Sequence, residues 1–143
     1  MLGACGFGAV EVPAASQEPG TQGLCATLVA DLPEVVDDAV RRDLAGQTSG
    51  AAVWGQPPII LRCGVPPPSG VDPTQAVLEV AGVGWSAVPG EGGTFFYALD
   101  RAAIVEVAIP ADYAPEAQVL IDLADAVAQV PLTAAPAAEP TPW

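Results

Sequence analysis

The sequence contains no lysine, no histidine and no asparagine, and its only cations are Arg41, Arg42, Arg62 and Arg101. Without imidazole or amine side chains, the commonest general base and all Schiff-base chemistry are missing. Ser16, Ser49, Ser69 and Ser86 therefore have no base to activate them, which excludes a Ser-His-Asp triad. No catalytic residue, metal site or cofactor is expected. Seventeen Asp and Glu against four Arg leave a formal net charge of -13, a field that repels phosphate backbones and anionic headgroups. Nucleic acid is excluded as a partner on that ground, as is docking on an acidic membrane through a basic patch. The acidic surplus itself is read as a solubilising surface. Long apolar runs are also missing: nothing reaches the roughly 18 residues needed to cross a bilayer as a helix. Aromatics make up only 6%, although 51% of residues are hydrophobic, so any core is built largely from Ala, Val, Leu and Ile.

Three cysteines are present, Cys5, Cys25 and Cys63, and an odd count asks for an explanation. Leu2-Gly3-Ala4-Cys5 has the form of a bacterial lipobox, in which the cysteine is acylated after signal cleavage. A signal also needs an apolar h-region of about 7 to 15 residues, and only Met1 precedes this match, so a chance occurrence in an Ala/Gly-rich chain stands beside it. An acylated Cys5 would leave Cys25 and Cys63 as a pair. No histidine and no closely spaced second cysteine completes a zinc site around either one, so the choice is a disulfide or two buried thiols. Periodicity places both inward. Cys25, Leu28, Val29 and Leu32 fall on one helical stripe, and Ile59, Leu61 and Cys63 alternate with Ile60 and Arg62 as in a strand.

Residues 1–20 read as the lipobox-like start and a flexible tether, 21–130 as a single domain, and 131–143 as a disordered Pro/Ala-rich tail. A helix is predicted from near Thr21. VVDDAVRRDL, residues 35–44, reads as a short helix or irregular segment after the Asp31 to Glu34 capping-box spacing. IILRCG, the two halves of VLEVAGVGWSAV, TFFYAL and AIVEVAI read as strands, and a helix with an apolar stripe of Ala117, Leu120, Leu123, Ala124 and Val127 closes the domain. The expected fold is α+β: an antiparallel sheet of about four to five strands, with the N-terminal and C-terminal helices packed on one face and one disulfide.

Trp54-Gly55-Gln56-Pro57-Pro58 leading into Arg62-Cys63-Gly64 resembles the most recognisable stretch of the actinobacterial domain of unknown function 3515 family. The upstream Cys25 and Leu32-Pro33 are similar to it, as are Gly82-Val83-x-Trp85, Arg101, and Val105-Glu106-Val107 before Pro110 and Tyr113. Gly84 departs from the acidic residue expected before Trp85. The resemblance implies exported or membrane-tethered envelope proteins with no assigned reaction. Together these readings describe an extracytoplasmic, membrane-anchored binding or assembly module, with Cys5 as the lipidation site, membrane contact through the N-terminal anchor, and an unknown envelope protein or ligand as partner. Trp54, Arg62, Trp85 and Arg101 are the candidates for its ligand or partner surface, beside the commoner roles of a core or rim anchor for each tryptophan and of pairing with a nearby carboxylate for each arginine. The alternatives are a structural subunit of an envelope complex or a carboxylate-dependent hydrolase, for which Glu79 and Glu106 are the two acids inside predicted strands.

Overall fold

The computed structural model describes residues 9–12, 18–45, 50–69 and 77–133. Cys5, Ser16, Ser49 and the tail from residue 134 onward lie outside that set.

Helix α1 spans Gln22–Asp31 and buries Cys25 and Leu28, as its apolar spacing predicts. It stops where Leu32 turns extended, at ψ 146°, because a residue that precedes proline is driven out of the helical region. The chain then enters the segment expected to be helical or irregular, and the structure corrects that expectation. Val35–Val36 (β1) and Ala39–Arg42 (β2) form a hairpin instead. Asp37 and Asp38 turn it at φ 47° and 67°, the left-handed region that aspartate tolerates better than most residues. The turn is tied down from outside: the Asp37 N–H donates to Asp122 Oδ2 at 2.8 Å.

Ala51–Trp54 (β3) and Ile59–Cys63 (β4) follow, then Leu78–Val80 (β5), Val83–Gly90 (β6), Gly93–Ala98 (β7) and Val105–Pro110 (β8). A 3-10 turn at Ala111–Tyr113 precedes helix α2, Ala117–Ala128. The strands form a single eight-stranded antiparallel sheet in the order β1-β2-β3-β4-β8-β7-β6-β5. It consists of two four-stranded meanders joined where β4 meets β8, with Cys63 opposite Val105 and Arg62 opposite Glu106. The four-to-five-stranded α+β layout is therefore replaced by a sheet that dominates the chain, with two helices beside it. The sheet edges, β1 and β5, are two and three residues long, short enough to offer little template for further pairing.

One face of the sheet carries the main core. Cys25 and Leu28 of α1 meet Leu120, Leu123 and Val127 of α2 over Trp54, Leu61, Trp85 and Val107. A disulfide joins Cys25 to Cys63 across this layer, with Cα atoms 5.5 Å apart. The opposite face is partly covered by the N-terminal segment: Val12 packs with Ala51 and Val53, backed by Val10, Leu44 and Ile60. All four residues of β3 are consequently buried, which is why Ala51-Ala52-Val53-Trp54 shows no polar-apolar alternation. Both ends of the described body reach past 21–130. Val10 bridges Leu44, and Leu132 bridges Arg101.

Candidate functional site

Alternation along β4, β7 and β8 turns Arg62, Tyr97 and Glu106 away from the helices, and the strand register sets them side by side: Arg62 opposite Glu106, Glu106 opposite Tyr97. Arg62 Nε donates to Glu106 Oε1 at 2.7 Å and Arg62 Nη2 to Glu106 Oε2 at 3.0 Å. The Tyr97 hydroxyl donates to Glu106 Oε2 at 2.9 Å. Glu106 is 4% exposed, so its carboxylate depends on these donors in place of water. Burial, and then the Glu106 carboxylate, push the Tyr97 hydroxyl up to about 12. Its hydrogen bond to Glu106 raises the Arg62 guanidinium further. Near neutral pH, Arg62 and Tyr97 keep their protons, which makes the network a fixed clamp across three strands.

Beside this polar row runs an apolar one. Ile60 lies opposite Ala108, Ala108 opposite Phe95, and Phe95 opposite Val88. Phe95 is 36% exposed, the most accessible aromatic ring among the described residues. Next to it a shallow groove of about 260 Å³ is lined by Pro58, Gly93, Phe95, Ala108 and Pro110. Glycine is required at Gly93 on its lining, where a Cβ would run into the Ile109 carbonyl, and beside the groove a Cβ on Gly90 would meet the Phe95 ring at 2.6 Å.

The candidates named from sequence are distributed differently. Trp54 and Trp85 are both fully buried, so they serve as core anchors and neither presents a ring to a ligand or partner. Each points to the helix-covered side of its strand. Trp54 donates from Nε1 to the Pro33 carbonyl at 3.0 Å, and Arg41 stacks 5.6 Å from its ring centroid. Arg101 is also removed from any ligand surface. It is 9% exposed, and its Nη1 donates to the carbonyls of Ala128 and Val130 at 3.3 and 2.9 Å, closing the C-terminal end of α2 where unpaired carbonyls favour a cation. Only Arg62 keeps an open-face position, and there it is bound to Glu106.

Glu79 does not join Glu106. β5 and β8 are separated by β6 and β7, three strand spacings or roughly 14 Å, beyond the range of about 5 to 9.5 Å that paired glycosidase carboxylates occupy. The departure at Gly84 has a local basis: a Cβ there would approach Val77 Cγ1 to 2.8 Å, so Val77 fills the space a side chain would take. Among the described residues no group of three or more His, Cys, Asp or Glu could hold a metal ion. Nor is any described helix long and apolar enough to cross a membrane.

Tyr97 and Phe95 were not singled out by sequence reasoning. TFFYAL shows their alternation, but only register reveals that one contacts Glu106 and the other borders the groove.

These features define a disulfide-bonded, eight-stranded antiparallel domain with a cross-strand Arg-Glu-Tyr clamp. The chain belongs to the DUF3515 family of proteins of unknown function, whose family model matches residues 5–136. No curated protein and no solved structure matches it.

Proposed function

We propose that this chain is an extracytoplasmic binding or assembly module of the cell envelope, tethered to the membrane by acylation at Cys5. The Cys25–Cys63 disulfide carries the reading, because such bonds persist in oxidising compartments and are rare in reducing ones. Pairing those two accounts for the odd cysteine count by leaving Cys5, which stands in the lipobox-like Leu2-Gly3-Ala4-Cys5. The binding surface is the open sheet face at the Phe95 groove, where an exposed ring and a proline-lined depression lie beside the rigid clamp of Arg62, Glu106 and Tyr97. A partner there would gain aromatic contact without having to order a loop.

Intact-mass measurement on the protein from its native host tests the tether. The expected product begins at an acylated Cys5 and contains no free thiol at Cys25 or Cys63, whereas an unmodified product with three thiols overturns the assignment. Cross-linking in the intact envelope, with the wild-type chain and with Phe95→Asp, tests the surface. Partners captured by the former and lost with the latter are expected, and capture unaffected by the substitution would exclude this groove.

A further inference from the structure

The N-terminal segment is bound to the body much closer to Cys5 than a 20-residue tether would allow. The Val10 N–H donates to the Asp43 carbonyl at 3.0 Å, and the Ala45 N–H donates to the Val10 carbonyl at 2.8 Å. Two residues on, Val12 is 8% exposed and packs on Ala51 and Val53 of β3. Val10 is thereby fixed where the chain leaves β2, at one corner of the sheet.

Only five peptide steps separate Val10 from Cys5, so their Cα atoms can be at most roughly 18 Å apart. The sheet is larger than that. From the strand exit at Asp43 to the β6–β7 turn at Glu91 is five strand spacings across and about four residues along, roughly 28 Å on ordinary sheet geometry.

Resting on the acylation of Cys5 proposed above, the geometry points to a near corner and a far one: the β2–β3 corner, with Asp43, Leu44 and Ala45, is kept close to the lipid headgroups by the short tether, whereas the β6–β7 turn at Glu91 stands further out. The occupant of the near surface is a phospholipid headgroup layer. Chain length, not charge, selects it. Arg41 and Arg42 lie on this side of the sheet, but so do Glu34, Asp38 and Asp43, and the whole chain carries -13.

The test uses the acylated full-length chain in phosphatidylcholine vesicles, with a nitroxide label at Asp43→Cys or at Glu91→Cys. Both positions are exposed, and each substitution removes one negative charge. With a nickel chelate attached to the headgroups as relaxing agent, the label at position 43 is expected to relax strongly and that at position 91 to be barely affected. A flexible Gly/Ser insertion of about 12 residues between Cys5 and Ala9, long enough to reach beyond the sheet diagonal, should abolish the difference. Equal relaxation at both positions without the insertion overturns the orientation, and so does a difference that survives the insertion. Mass analysis of the same preparation reports acylation separately, so a failure of the anchor is not mistaken for a failure of the orientation.

Discussion

Arg62 and Glu106 face each other across the junction of the two meanders, joined by two hydrogen bonds of 2.7 and 3.0 Å, with Tyr97 completing the carboxylate's coordination at 2.9 Å. Because β4 and β8 meet only through tertiary pairing, this pair marks the seam at which the sheet halves are registered.

Removing the carboxylate should destabilise more than removing the phenol. Glu106→Ala takes the carboxylate away from the Arg62 guanidinium, but the Arg62 side chain is 22% exposed and can recover some water. The expected loss is about 2 to 3 kcal/mol, below that of a fully dry pair. Tyr97→Phe removes one hydrogen bond and should cost about 1 to 2 kcal/mol. Urea denaturation of the single and double variants measures both, and a double-mutant cycle should show coupling between positions 62 and 106.

Alkaline titration should distinguish folded from unfolded chain. The Tyr97 hydroxyl is pushed up to about 12 from 10.0, and burial also raises Tyr113. A raised native value means that the folded state holds the proton more tightly. The stability this contributes is complete below pH 10 and is lost as pH rises from 10 toward about 12. Phenolate absorbance of the native protein should therefore rise later than in urea, with Tyr97→Phe removing the later component.

Reduction of Cys25–Cys63 releases residues separated by 38 positions. A loop of that length corresponds to about 4 kcal/mol in the chain-entropy treatment, a large share of a domain's stability. Melting of the Cys25→Ser, Cys63→Ser double variant should fall well below that of the oxidised protein, and dithiothreitol should shift only the latter.

The β1–β2 turn can be improved. Asp37 titrates above its ordinary 3.8 because of burial and then the charges of Asp38 and Asp122, so at neutral pH its carboxylate is a burden on the fold. Asp37→Asn with Asp38→Gly keeps the left-handed backbone, removes the repulsion and should add about 1 kcal/mol. The Asp37→Asn share of that gain should be present at neutral pH and vanish below about 3.8, where the carboxyl is neutral in both states. Thermal melts at pH 3 and pH 7 check it.

Local patterning made the two helices, the inward faces of β4 and β8, and the inward placement of both cysteines readable, because side-chain period is written into the chain. Strand count was not readable. The β1–β2 hairpin turns on two aspartates where Asn-Gly would have announced it, and β3 is covered on both faces, which removes its alternation. Buriedness was equally out of reach for Trp54 and Trp85: an aromatic beside glycine fits a pocket rim or a core, and only the packed helices put both in the core. Arg62 could be seen as a scarce cation, but its partner could not, since the choice between Glu79 and Glu106 depends on the order β4-β8-β7-β6-β5. The disulfide shows the division most clearly. Sequence period pointed Cys25 and Cys63 inward, and the docking of α1 over the central strand β4 brought them within bonding distance, because pairing depends on where elements pack and not on their period.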